Sequence, residues 1–137
     1  NLLKIHFSQG KNPSECHFMD SCQKKFISID HDGLVYPCGE FCGMNEFVYG
    51  NINLDSLEKI ISSPIRKKFL ERNEKLNGCQ TCEHHKICHG GCPQRAFSST
   101  GNILDKDPQC ATFKKFFTYF YKKFSLEKCS KEMKGGI

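Results

Sequence analysis

Apolar positions along the 137-residue chain come in short runs separated by turn formers. Leu2, Leu3, Ile5 and Phe7 suit a short strand, which Gly10 to Pro13 would break. Phe26, Ile27 and Ile29 lead into Asp30-His31-Asp32-Gly33, and Leu34, Val35 and Tyr36 lead out. That is the pattern of a β-hairpin over Lys25 to Pro37 with Asp-Gly turn chemistry. Asp20, Asp30 and Asp32 read as turn residues. Gly39 to Asn53 is loop-like, with a short strand expected at Phe47 to Tyr49. Asp55 is the expected cap of a short helix through Ile61. Ser63 and Pro64 suit the cap and first position of another helix, running to Lys75 and ended by Asn77-Gly78.

Cys79 to Cys92 reads as a Cys-rich loop, Pro93 to Ser99 as a short helix, and Thr100 to Pro108 as a loop. The clearest periodicity follows. Phe113, Phe116, Phe117, Phe120, Tyr121 and Phe124 fall on one face of a helix from Gln109 to about Lys128. Lys114, Lys115, Lys122 and Lys123 take mostly the other face, so the aromatic stripe is expected to pack. Lys131 to Ile137 is a polar tail. The pattern predicts an α+β fold: a small Cys-rich domain with a β-hairpin, short helices and a C-terminal amphipathic helix. Residues 1–14 form a leading segment or linker, 15–129 the domain, and 130–137 the tail.

Composition changes this picture in one respect. Hydrophobic residues make up 38% of the chain, below the roughly 45–50% of ordinary globular domains. Trp is absent and 12 Phe supply the large apolar volume, so the expected core is thin and the ten Cys are the candidates to reinforce it. No secretory signal and no membrane-length apolar run is present, and the Cys are paired too closely for an evenly spaced disulfide scaffold. The expectation is a reducing, cytoplasmic setting. The formal charge of +5 counts cysteines as neutral. Eight metal-bound thiolates and two cubane cores of about +2 each would bring it near +1, which leaves the basic balance weak evidence for nucleic-acid binding, and no nucleic-acid partner is expected.

The densest chemical signal is Cys79-x2-Cys82-x5-Cys88-x3-Cys92-Pro93. A two-residue gap lets both sulfurs of a pair reach one metal centre, zinc or iron. A zinc ribbon needs a second short pair far away, and none is present. The ending C-x3-C-P instead parallels the bacterial ferredoxin run, whose fourth Cys ligates the other of two clusters. By that logic Cys92 serves a second site with Cys16, Cys22 and Cys38. Cys79, Cys82 and Cys88 take Cys110, at the start of the Phe-rich helix, as their fourth ligand. Cys42 stands close enough to compete with an assigned ligand, Cys38 above all. Cys129 reads as a lone thiol or small filler.

These residues resemble the SPASM domain, the C-terminal extension of many radical S-adenosylmethionine (SAM) enzymes. Its pattern is C-x9-15-G-x4-C, then C-x2-C-x5-C-x3-C, then C. Cys22, Gly33 and Cys38, then Cys79, Cys82, Cys88 and Cys92, then Cys110, fill every position, and Cys16 matches an additional upstream ligand. The resemblance implies two auxiliary [4Fe–4S] clusters, one on Cys16, Cys22, Cys38 and Cys92, the other on Cys79, Cys82, Cys88 and Cys110. It also implies a radical SAM barrel domain and a peptide or protein substrate as partners, with the clusters carrying electrons and helping to seat the substrate. The family's reactions include thioether and carbon–carbon crosslinks in peptides and oxidation of sulfatase residues. The catalytic motif C-x3-C-x2-C is missing: Cys38-x3-Cys42 is followed by Asn45, and Cys88-x3-Cys92 by Arg95. SAM chemistry would therefore require a separate catalytic domain. The competing readings are a zinc-binding interaction module and a free-standing ferredoxin-like electron carrier.

His84, His85 and His89 lie within the Cys-rich loop, as exposed loop histidines or as donors to cluster sulfurs. His17 and His31 carry the same ambiguity. Gly90-Gly91 suits a close approach of backbone to a cluster.

Overall fold

The computed structural model describes residues 16–19 and 22–132. The expected strand at Leu2 to Phe7, the break at Gly10 to Pro13, Asp20 and the end of the polar tail lie outside the described residues. So do the side chains of His17, Phe124 and Cys129.

The hairpin forms as its turn chemistry predicts. Strands β1 (Ser28–Ile29) and β2 (Leu34–Tyr36) pair antiparallel, Ser28 opposite Tyr36 and Ile29 opposite Val35. Asp30 closes the turn: its Oδ1 accepts the backbone N–H of Asp32 and Leu34, at 3.0 and 2.9 Å. The third strand, β3 (Gly50–Asn51), lies on the other side of β2 and begins just after the expected Phe47 to Tyr49. Asn45–Phe47 is a 3-10 turn instead, which points Phe47 into the core.

Helix α1 (Leu57–Ile61) is capped by Ser56, whose Oγ accepts the Lys59 N–H, and not by Asp55. Asp55 turns back to accept the Asn51 N–H at 2.8 Å and pairs with Lys59. Helix α2 (Pro64–Leu70) begins as expected, with Ser63 as cap and Pro64 at the first position. The expected single helix to Lys75 breaks at Glu71, and α3 (Arg72–Lys75) turns its first residue inward. The Cys-rich loop contains a one-turn helix, α4 (His85–Cys88), that its apolar pattern does not announce. Helices α5 (Pro93–Thr100) and α6 (Cys110–Glu132) match their predicted positions, α6 running a few residues longer.

Two apolar clusters hold these pieces. The larger gathers Val35, Tyr36, Phe41, Phe47, Tyr49, Ile60, Phe69 and Ile103. Edge-to-face contacts link its rings: Phe41 to Phe47 at 4.7 Å and to Phe69 at 5.2 Å, and Phe47 to Phe97 at 4.7 Å. Each such pair contributes about 0.5–1.5 kcal/mol beyond its buried area. The smaller cluster is Phe18 with Phe117, flanked by Ile87, Cys88, Phe113 and Phe116. Among the described residues the aromatic stripe of α6 is buried at Phe117 and less so further along. Tyr121 is already 37% exposed.

Candidate metal centre

Four elements bring the first group of cysteines together. Cys16 opens a 3-10 turn (Cys16–Phe18) and Cys22 opens another (Cys22–Lys24). Cys38 follows β2, and Cys92 precedes α5. The Cys22 thiol is pushed up to about 12, by burial first and then by the sulfurs of Cys16, Cys38 and Cys92, while Arg72 acts in the opposite direction. Burial, Cys92 and Cys16 also raise the Cys38 thiol. Against that, the backbone N–H groups of Glu40 and Phe41, on the next 3-10 turn, lower it, the Phe41 N–H donating to the Cys38 carbonyl at 3.0 Å.

A second group forms around α4 and the start of α6. Cys79, Cys82, Cys88 and Cys110 line one pocket with His84, His85, Gly90, Lys106, Phe113, Lys114 and Phe117. Burial raises the Cys79 thiol, as do the sulfurs of Cys110 and Cys82, against Lys106 and Arg72. The Cys88 thiol is pushed up to about 11 by burial, then by Cys110 and Cys79, while the Gly90 N–H lowers it. The cysteines are interleaved in sequence and grouped in space. Cys92 acts on Cys22 and Cys38, and Cys88, four residues before it, acts with Cys79 and Cys110.

Cys42 stands apart, exposed, with its Sγ 3.6 Å from Ser28 Oγ. No disulfide is formed among the described residues. Nor do any three His, Cys, Asp or Glu side chains there converge tightly enough for a single metal ion. A mononuclear zinc site holds its sulfurs about 2.3 Å from the metal. A cubane binds one thiolate at each of four irons and spaces its sulfurs more widely.

The histidines divide. His84 is buried in the pocket wall, stacked on Tyr121 and beside Phe117, with its Nε2 3.3 Å from Thr118 Oγ1. His85 lines the same pocket, and its buried Nε2 lacks a protein hydrogen-bond partner. His89 adopts a left-handed backbone that closes α4. His31 is exposed on the hairpin beside Asp32.

Two buried residues that tie the cysteine loops together carry no sequence signal. Asp107 is 1% exposed, and its Oδ2 accepts the Cys92 N–H at 2.8 Å and the Arg95 guanidinium. Its carbonyl accepts the Cys110 N–H at 2.9 Å, so it ties the backbone of one group to that of the other. Arg72, 4% exposed, reaches the carbonyls of the 89–91 loop. Gly90 and Gly91 pass between these residues with φ of 76° and 72°. A Cβ on Gly91 would fall on Asp107, and one on Gly90 on Leu76.

Residues 16–83 match the model of the SPASM family, described as an iron–sulfur cluster-binding domain. The chain is 28% identical, over 82% of its length, to a cysteine-type anaerobic sulfatase-maturating enzyme of Clostridium perfringens, of which it covers 30%. It is 33% identical, over 63% of its length, to an AdoMet-dependent heme synthase of Nitratidesulfovibrio vulgaris, of which it covers 22%. The chain therefore spans under a third of the length of these relatives. A solved structure of native anSMEcpe with bound AdoMet and Cp18Cys peptide superimposes with a TM-score of 0.68 at 24% identity, over 89% of this chain and 33% of that one. With the family match, the shared fold and the grouped cysteines together, the chain belongs to the SPASM family of iron–sulfur cluster-binding domains.

Proposed function

We propose that the chain binds two [4Fe–4S] clusters, one on Cys16, Cys22, Cys38 and Cys92 and one on Cys79, Cys82, Cys88 and Cys110. It would do so as the auxiliary-cluster domain of a radical SAM enzyme that modifies a peptide or protein. The observation that carries this reading is the spatial sorting of eight interleaved thiols into two groups of four. The donor chemistry fits. All eight are sulfur, the second group sits in a pocket walled by Phe113 and Phe117, and the orphaned His85 Nε2 there suits a hydrogen bond to a cluster sulfur. The N–H groups near Cys38 and Cys88 favour the ligating, deprotonated form.

When bound, the clusters would accept and pass single electrons. The chain's own residues would hold them dry and fixed: Phe18 and Phe117 exclude water beside the second group, and Asp107 locks the backbone of Cys92 and Cys110. The relatives include a sulfatase-maturating enzyme and PqqA peptide cyclases, and a structural neighbour holds a peptide, which supports a peptide substrate. The radical reaction would take place on a C-x3-C-x2-C barrel domain outside these 137 residues. No helix of the described residues is long and apolar enough to cross a membrane. The proposed clusters need reduced thiols, which a cytoplasmic setting supplies.

Anaerobic purification with metal and sulfide analysis tests the reading. About eight iron and eight sulfide per chain are expected from this segment, with broad absorbance around 400 nm. Stoichiometric zinc without sulfide would overturn it.

A further inference from the structure

Arg72 is the only arginine of an all-polar stretch, Arg72-Asn73-Glu74-Lys75, that nothing in the sequence marks as interior. It is nonetheless 4% exposed. Its guanidinium makes five hydrogen bonds, every one to a main-chain carbonyl. Nε donates to Ile103 at 2.6 Å, Nη1 to His89 and Gly91 at 3.3 and 3.1 Å, and Nη2 to Gly90 and Asp105 at 3.3 and 3.2 Å. Carbonyl oxygens satisfy its donors and leave its positive charge without a contacting carboxylate in that set. Burying such a charge costs several kcal/mol unless anions stand near. Burial pulls the guanidinium below its ordinary range, and the sulfurs of Cys92, Cys22 and Cys79, then Asp107, act to restore it. Those sulfurs come from both groups.

We propose that Arg72 is a positioning residue shared by the two cluster sites, a buried counter-charge between them that also anchors the Gly90-Gly91 crossing. The inference rests on the two-cluster reading above. Four thiolates around a cubane core of about +2 leave each loaded site net negative, and one-electron reduction adds a further negative charge. A fixed cation in low dielectric favours that more negative form, so Arg72 raises both reduction potentials. Lys at this position would keep the charge and lose the five-donor fork.

The test is a redox titration, followed by electron paramagnetic resonance, on the anaerobically reconstituted protein and its Arg72→Met and Arg72→Lys variants. Iron and sulfide are counted in each. Arg72→Met is expected to shift both one-electron equilibria at least tenfold toward the oxidised form, which is about 59 mV. Arg72→Lys is expected to stay within threefold of wild type at both clusters, while amide exchange across residues 89–92 accelerates. Unmoved potentials in a fully loaded Arg72→Met protein would overturn the inference and leave the two-cluster reading intact. If Arg72→Met does not load, the Lys variant decides: a tenfold shift with the charge retained overturns the inference, and potentials within threefold with faster exchange uphold it. A wild-type protein loaded with zinc and no sulfide would overturn the two-cluster reading and this inference together.

Discussion

Asp107 concentrates more constraint than any other single residue around the cysteines. Its buried carboxylate accepts from the Cys92 backbone, from Arg95 and from the Gln109 N–H, and its carbonyl accepts from Cys110. Removing that carboxylate strips the part-buried Cys92 and Gln109 N–H groups of their acceptor, while Arg95, 32% exposed, can turn to water. Asp107→Ala is therefore expected to destabilise the protein by about 1.5–3 kcal/mol in denaturant melts. It should also lower iron retention at both proposed sites, since it frees a ligand backbone in each. Neither effect is predicted from the sequence, where Asp107 falls within the expected loop from Thr100 to Pro108.

Among the elements, the amphipathic helix α6 and the 3-10 turn at Cys16–Phe18 depend on each other. Phe18 is 2% exposed and packs edge-to-face on Phe113 at 5.0 Å and Phe117 at 5.5 Å. It anchors the segment that carries Cys16 to the helix that carries Cys110. Phe18→Ala is expected to cost about 3–5 kcal/mol. Its cluster effect should be lopsided: the site of Cys16, Cys22, Cys38 and Cys92 should lose iron first, because Cys16 would be released while Cys110 keeps its helix. Iron-release kinetics with a chelator would show this as a biphasic trace in which the faster phase grows. The hairpin and helices α2, α5 and α6 were legible because their signals are local: an Asp-Gly turn, Ser63-Pro64, Pro93, and an apolar stripe at helical period. The break at Glu71 and the one-turn α4 were not. Both arise from packing and from cysteine placement, which leave no periodic trace in so few residues.

For the whole molecule, the proposed assignment has neighbours in sequence serving different centres. Cys92→Ala is expected to damage the site of Cys16, Cys22 and Cys38 more than that of Cys79 and Cys82. Selective loss of the latter, seen by Mössbauer or electron paramagnetic resonance spectroscopy, would contradict the crossed assignment. Cys42→Ala is the matched control: with its thiol on Ser28, it should load both sites like wild type.

Sequence by itself set out the thiols to which the proposed cluster chemistry is assigned. Gaps of two and five residues let thiols reach a common centre, and the ending C-x3-C-P parallels a run whose last Cys crosses to another, so the spacing of Cys79 to Cys92, the Gly33–Cys38 pair and the family resemblance were all readable along the chain. Only the tertiary structure decided what surrounds them. Arg72 bonds to carbonyls 17 to 33 residues away, and Asp107 to a backbone N–H 15 residues back. Contacts at that separation depend on how the elements pack, and the identity of a charged residue in a polar stretch does not reveal whether packing will bury it. The tertiary structure likewise separated Cys38 from Cys42. Cys38 precedes the 3-10 turn and lies under the influence of the Cys92 and Cys16 sulfurs, and the turn carries Cys42 outward to Ser28.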